Sequence, residues 1–241
     1  MNNNWLERTE LLVGSEGLEK LRNSHVLIVG LGGVGAYAAE QIARVGVGEM
    51  TIVDADNVEN SNRNRQLPAL TTTIGRPKVE VMRERLLQIN PELKLHAIQQ
   101  CVRDEGTEEL LDSAKFDYVI DAIDSLAPKS FLIYFAMQRD LKIISVMGAG
   151  GKMDPSLVAV VDIKKTYQCK LAHALRKRLH RLGIRSGFKA VFSPEIVPES
   201  AVKIESEPEI NKMSVVGTVS YMPAVFGCFA AAEVIKEISN A

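Results

Sequence analysis

A strand-forming segment at residues 25–29 runs straight into Gly30-Leu31-Gly32-Gly33-Val34-Gly35, and this junction limits the possible folds more than any other stretch of the chain. A short apolar, β-branched run followed by Gly-x-Gly-x-x-Gly is the pattern of a buried strand turning sharply into a helix. Gly30, Gly32, Gly33 and Gly35 let the backbone approach a phosphate closely, while the helix that follows directs its first N–H groups and positive dipole end at it. Asp54 ends the next apolar run, about 20 residues on, where a carboxylate can accept from both ribose hydroxyls.

Apolar runs then alternate with amphipathic stretches almost to residue 150, which predicts an α/β fold: a Rossmann-like, mostly parallel sheet with helices on both faces. Strands are expected at residues 25–29, 50–54, 93–99, 116–121 and 142–146, and helices at 33–45, 78–88, 105–113 and 125–139. Pro77 and Pro91 fall where a helix should start and stop. Beyond Gly148-Ala149-Gly150-Gly151 the pattern changes to a C-terminal α/β extension, with a strand at 157–163, a basic amphipathic helix at 168–182 and a strand at 189–192. Residues 194–208 read as a long mobile loop. Residues 214–232 contain no charge and reach membrane-spanning length, but Gly217, Ser220, Pro223 and Gly227 and the lack of flanking anchors favour a helix buried against the sheet.

With 241 residues and 46% apolar composition, the chain can bury one substantial core, so residues 1–241 are expected to form a single domain. Its nucleotide-binding part would be 1–150 and its substrate-binding extension 151–241. A net charge of -1 supplies no global field toward nucleic acid or membrane. Cys101, Cys169 and Cys228 form no C-x-x-C pair, which argues against structural zinc and a disulfide framework, and Cys169 reads as inert. His25, His96, His173 and His180 show no metal spacing. The first residues show no secretory signal, so a cytoplasmic location is expected.

Two cationic blocks follow the glycine turn: Asn62-Arg63-Asn64-Arg65-Gln66 and Gly75-Arg76-Pro77-Lys78. A nicotinamide cofactor needs no cationic clamp on a leaving group, whereas a nucleoside triphosphate does, so the pattern leans toward ATP. Arg65 suits a bidentate grip on phosphate oxygens. Lys78 opens a helix, where its charge opposes the dipole, and a nearby anion would explain it. Asp56 and Asn62 serve equally as turn formers or ligand contacts. Asp121-Ala122-Ile123-Asp124 places two acids at a strand end; Asp124 suits either magnesium bridging phosphate oxygens or a helix N-cap. Nine bases, Lys164, Lys165, Lys170, Arg176, Lys177, Arg178, Arg181, Arg185 and Lys189, occur with no acid among them, leaving 20 bases against 30 acids elsewhere. Such segregation fits a nucleic-acid backbone, an acidic protein partner or a solvated helix face.

Taken together, Gly30 to Gly35, Asp54, the Asn62 to Gln66 block, Gly75 to Lys78 and Asp121 to Asp124 resemble the adenylating domain of the ubiquitin-activating-like superfamily, of ThiF type. The resemblance implies attack of a carboxylate on the α-phosphate of ATP, giving an acyl adenylate and pyrophosphate. It implies ribose binding by Asp54, phosphate stabilisation by Arg65 and Lys78, magnesium at Asp124, and a nucleotide site completed by Gly30, Gly32, Gly33, Gly35, Asp56, Asn62, Gln66 and Asp121. Arg8, in Glu7-Arg8-Thr9-Glu10, is similar to the superfamily's N-terminal arginine that reaches the other subunit's ATP, which implies a homodimer. Within the superfamily, Arg8-Thr9-Glu10, Asp121 to Ser125, Gly148 to Pro155, Lys165-Thr166 with the basic helix, and Val191-Phe192-Ser193 resemble the tRNA threonylcarbamoyladenosine dehydratase family. That family implies ATP-dependent cyclisation of the modified adenosine with expulsion of AMP, and gives the basic helix tRNA to hold.

The main rival is adenylation of the C-terminal Gly-Gly of a ubiquitin-like sulfur carrier, whose enzymes often carry the paired C-x-x-C motifs missing here. A sulfur-relay or cysteine desulfurase partner stays open. A nicotinamide oxidoreductase has no use for Arg65 and Lys78, and a nucleotide-sensing module has none for those residues or Asp124.

Overall fold

The computed structural model describes residues 5–103, 105–209 and 212–240. Five strands, β1 (His25–Val29), β2 (Glu49–Val53), β3 (Lys94–Ile98), β4 (Tyr118–Asp121) and β5 (Ile143–Val146), lie parallel in one sheet. A parallel strand covered on both faces should be apolar throughout rather than alternating, and β1 and β4 are buried at every position. β6 (Ala159–Asp162) and β7 (Lys189–Phe192) extend the sheet, with β7 parallel to β5 and β6 antiparallel on the edge. The order is β3-β2-β1-β4-β5-β7-β6. From β1 the chain proceeds outward to β2 and β3, then crosses back through the helix Glu105–Asp112 to β4 on the other side of β1, so the order reverses at β1 and the carboxyl ends of β1 and β4 flank the crevice where ligands bind such sheets.

Side chains of period two divide between two cores. Val26 and Ile28 face one, together with helices α2 (Gly35–Arg44), α3 (Lys78–Ile89) and α7 (Tyr221–Ser239). Leu27 and Val29 face the other, covered by α4 (Glu105–Asp112), α5 (Leu126–Gln138) and α6 (Lys170–Arg181). The sandwich of helices on both faces is the expected one. α7 matters most to the site, because its Pro223 lies against Gly33 and its Gly227 against the carbonyl of Val34. Gly227 is thereby the point at which α7 touches the glycine turn through backbone alone.

Several boundaries differ from the sequence expectation. The helix expected from residue 33 starts at Gly35, because residues 30–34 are spent on the turn. The strand expected at 157–163 shrinks to β6, bracketed by 3-10 turns at Pro155–Leu157 and Ile163–Lys165. No element was expected before residue 25, yet α1 (Glu7–Arg22) is present. Gly14, with φ +76 inside the helix, and Gly17 interrupt its periodicity, and Leu11 and Leu12 are exposed rather than facing a core. The loop expected at 194–208 is a loop only in its first part: β8 (Val202–Glu209) pairs antiparallel with β9 (Lys212–Val216) in a separate two-stranded sheet. The uncharged stretch 214–232 is likewise split between β9, a turn and α7. Among the described residues no helix is long and apolar enough to cross a membrane.

A Cβ added at Gly227 would sit 2.4 Å from the Val34 carbonyl oxygen, whereas one at Gly148 meets nothing within 4 Å. Gly227→Ala should therefore lower stability by about 2 kcal/mol or more, and Gly148→Ala should stay within about 0.5 kcal/mol of the parent, both read from urea unfolding midpoints.

Candidate active site at the carboxyl edge of the sheet

The glycine turn is built by backbone contacts that tolerate no side chain. Gly30 has φ +93, a conformation open to glycine at little cost, and a Cβ there would lie 2.8 Å from the Ala122 carbonyl oxygen. A Cβ at Gly35 would lie 1.8 Å from the Gly30 carbonyl oxygen. Gly32 differs. Its φ is not positive, and a Cβ would meet only the Gln66 side chain, at 3.7 Å. Nothing in the chain itself demands glycine at 32, whereas close approach by a ligand would. The buried Oε1 of Gln66, beside this opening, has no hydrogen-bond partner; such a buried orphan calls for a ligand or water. α2 starts without a side-chain cap and without an acid in its first turn, so its N–H groups and dipole remain available to an anion.

β2 ends on Asp54, whose Oδ2 accepts from the Leu31 N–H at 2.6 Å and whose Oδ1 accepts from the Asp56 N–H at 2.8 Å. The carboxylate is thus tied to the glycine turn. Burial pushes its pKa above the ordinary aspartate value, against the opposing pull of Lys78 and the two N–H groups. Lys78, only 4% exposed at the first position of α3, donates to Asp56 Oδ2 at 2.8 Å. The anion that its position required is therefore supplied by the chain, from an exposed carboxylate. Arg65 donates through Nη1 to the Ser61 carbonyl and to Asn64 Oδ1, and its own carbonyl borders Gly33. Among the described residues its other guanidinium donors make no hydrogen bond.

Two expected ligand contacts take on other work. Asn62 is buried; its Oδ1 accepts from the Glu59 N–H and its Nδ2 donates to Ser61, closing a capping box around the 3-10 turn Asn60–Asn62. It shapes the loop that carries Arg65. Asp121 is fully buried and cannot meet a nucleotide: Lys129 Nζ donates to its Oδ2 at 2.7 Å, Ser145 Oγ at 2.6 Å, and the Ile123 N–H to its Oδ1. Asp124 is exposed just beyond, and the N-cap position of α5 falls to Ser125 instead. Lys129 and Ser145 escaped the sequence reading, although a lone lysine inside the apolar α5 is itself a sign of a buried pair. Lys152 was also missed; it is buried, donates to the carbonyls of Ser193 and Glu195, and burial lowers its pKa.

Arg8 lies elsewhere. Leu6, two residues earlier, packs on Gly46 in the turn that leads into the start of β2, so exposed Arg8 sits at the amino edge of the sheet, opposite its own glycine turn. The basic segment is likewise divided by the fold. Lys170, Lys177 and Arg181 share the exposed side of α6, with Lys164, Lys165 and Arg185 exposed nearby in sequence. Arg176 is partly buried and donates to the Thr166 carbonyl at 2.9 Å, and the Arg178 guanidinium lies 5.1 Å from the Phe131 ring centroid. Lys189 leaves the stripe altogether: it points to the other face of the sheet, where it pairs with Glu237 at 2.6 Å and with Glu233. Period two along β7 is the reason, since Val191 shares that face while Ala190 and Phe192 face α6. Among the described residues no group of three or more His, Cys, Asp or Glu could hold a metal by itself.

Comparison with known proteins gives a consistent result. The ThiF family model matches residues 6–241. The tRNA threonylcarbamoyladenosine dehydratase of Bacillus subtilis (strain 168) is 40% identical over 237 residues, covering 96% of this chain and 93% of the relative. Crystal structures of the E. coli tRNA N6-threonylcarbamoyladenosine dehydratase, TcdA, in complex with ATP and with AMP superpose with TM-scores of 0.88 and 0.87 at 34% and 35% identity, each covering 97% of this chain and 93% of that one.

Removing Lys129 would strand a fully buried carboxylate. Lys129→Ala should cost about 3–5 kcal/mol of unfolding free energy, measured by urea denaturation. The apolar double replacement Asp121→Leu with Lys129→Met should recover much of that loss, because it removes the buried charge along with its partner.

Proposed function

The chain belongs to the ThiF family, and on that footing we propose that it is an ATP-dependent enzyme that cyclises threonylcarbamoyladenosine in tRNA, by dehydration through an adenylated carboxylate. The observation that carries the site assignment is the opening at Gly32, with an orphaned Gln66 amide oxygen on one side and the Asp54, Arg65 and Lys78 charges around it. An adenylyl-transfer site of this kind has to hold a triphosphate and draw charge off departing pyrophosphate.

In this reading a substrate carboxylate oxygen bonds to the α-phosphorus while the bond to the bridging oxygen of pyrophosphate breaks. A carbamoyl heteroatom of the same substituent then attacks the activated carbonyl carbon, losing its proton as AMP leaves. The water lost in ring closure is accounted for by conversion of ATP to AMP and pyrophosphate. Asp54 uses lone pairs left over from Leu31 and Asp56 to accept the ribose hydroxyls. Binding through those donors favours the ionised carboxylate that burial alone disfavours. Arg65 and Lys78 oppose the charge that develops on the phosphates, with Asp56 holding the Lys78 ammonium in place until then. Exposed Asp124 would supply a hard oxygen to Mg2+, which would neutralise phosphate charge when bound.

Arg8 cannot act in its own subunit from the amino edge. A homodimer would bring it to a second copy's nucleotide, and the exposure of Leu11 and Leu12 at 82% and 84% on the same helix supports a covered surface there. Residues 151–241 form the substrate-facing part, with α6 laid against the tRNA backbone, in a cytoplasmic setting. A sulfur-relay or cysteine desulfurase partner is not part of this reading. The sulfur-carrier alternative would place the chain among enzymes that often carry C-x-x-C pairs, which Cys101, Cys169 and Cys228 do not form.

AMP release from ATP should be detected with threonylcarbamoyl-modified tRNA and be absent with unmodified tRNA or a carrier protein ending in Gly-Gly; the reverse pattern would reject the assignment. Arg65→Ala and Lys78→Ala should each lower kcat/KM by about 10²-fold or more with the fold retained, and unchanged turnover in both would remove them from the site. Affinity for tRNA should fall linearly with log salt concentration. The triple variant Lys170→Glu, Lys177→Glu, Arg181→Glu should weaken it further and flatten the salt slope, which a titration followed by fluorescence anisotropy would read.

A further inference from the structure

Tyr167 is 56% exposed in a segment otherwise rich in lysine, and neither the core nor the nucleotide site accounts for it. We propose that its ring is the platform on which an unpaired base of the tRNA stacks, while Lys170 at the start of α6 holds an adjoining phosphate. The inference rests on the tRNA reading above and adds to it a contact with a base rather than with the backbone.

The ring is held before any ligand arrives. It meets Phe192 edge-on, with centroids 5.6 Å apart and planes at 71°, and Phe192 is itself almost wholly buried at the end of β7. Thr166 beside it is fixed twice: its hydroxyl donates to the Ile163 carbonyl at 2.7 Å, and Arg176 donates to its carbonyl. On the other side Gln168 adopts φ +53, a left-handed conformation uncommon for a residue with a side chain. Backbone in such conformations persists where surrounding contacts enforce it, and it concentrates at functional sites. A rigid, amphipathic ring loses little conformational freedom on stacking.

The charge around the ring matches a nucleic acid strand. Lys164, Lys165 and Lys170 are all exposed within three residues of Tyr167. α6 opens directly after Cys169 with no side-chain cap and no acid in its first turn, so its dipole adds to the positive field. Aromatic side chains between cations are the arrangement that binds single-stranded nucleic acid, because every base offers a π-face.

Position agrees with this role. Phe192 ends a strand parallel to β1, so the Tyr167 ring packed on it lies toward the same carboxyl edge as the glycine turn, whereas Lys164 and Lys165 follow the antiparallel β6 by the start of β7. β4, β5 and β7 follow β1 in order, which separates the two by roughly 15 Å at the usual strand spacing. The modified nucleotide and its neighbours would bridge that distance along the edge of the sheet.

The test is Tyr167→Ala against Tyr167→Phe, using threonylcarbamoyl-modified tRNA. Tyr167→Ala should weaken tRNA binding and raise its KM by about tenfold, leaving kcat at saturating tRNA, the KM for ATP and the salt slope unchanged; Tyr167→Phe should match the parent. An unchanged salt slope distinguishes a lost stacking contact from a lost cation, and from general loosening of the surface. Parental affinity in Tyr167→Ala, or equal loss in Tyr167→Phe, would overturn the platform while leaving the dehydratase reading intact. A parent protein releasing no AMP with modified tRNA would overturn that reading, and the platform with it.

Discussion

The site depends on how closely three backbone segments approach one another. The Gly30 carbonyl oxygen lies 1.8 Å from where a Cβ of Gly35 would be, and the Ala122 carbonyl oxygen 2.8 Å from a Cβ of Gly30. No side chain can stand between them. Their contact joins the end of β1, the start of α2 and the end of β4, and so fixes where the N–H groups of α2 point. Asp54 reaches into the same turn through the Leu31 N–H, and Arg65 borders it through its carbonyl. Gly32 alone is glycine without an internal reason, and it faces the open side where the Gln66 amide oxygen lacks a partner. The turn is thus a scaffold at three glycines and an aperture at the fourth.

Charge at the site is sorted by burial. Asp121 and Lys129 neutralise one another where water cannot enter; such a pair adds little net stability but penalises any arrangement that separates it. It also ties the end of β4 to α5 and, through Ser145, to β5. Lys78 and Asp56 form a different kind of pair, a buried ammonium held by an exposed carboxylate. A phosphate could share that ammonium without leaving a buried charge stranded. Arg65 is the most open of the three cations, anchored through a single nitrogen. Residue type alone does not separate a fully buried, internally satisfied pair from charges left open to a ligand; their surroundings do.

The two faces of the sheet carry opposite surfaces near its far edge. α6 on one face presents Lys170, Lys177 and Arg181, with no carboxylate in residues 164–189. α7 on the other contributes Glu233 and Glu237, both directed at Lys189. Lys189 belongs to the internal balance of the opposite face rather than to this surface.

The α/β class, the central strands, the glycine turn, Asp54 and the two cationic blocks were legible from residue order, because each depends on local periodicity or on neighbours close in the chain. Short, continuously apolar runs specify strands buried on both faces, and glycines at 30, 32 and 35 directly after such a run specify a tight strand-to-helix turn. The surroundings of Asp121, Asn62 and Lys189 were decided by tertiary structure alone. Asp121 looked like a ligand contact until α5 returned Lys129 to it, Asn62 until its amide closed a capping box, and Lys189 until strand pleating turned it toward α7. α1 and the β8–β9 ribbon were hidden for a related reason: glycines broke the periodicity of the first, and the second pairs with itself outside the main sheet. Residue order carries propensity and spacing, but a charge acquires its partner, and so its function, only when distant segments meet and water is excluded between them.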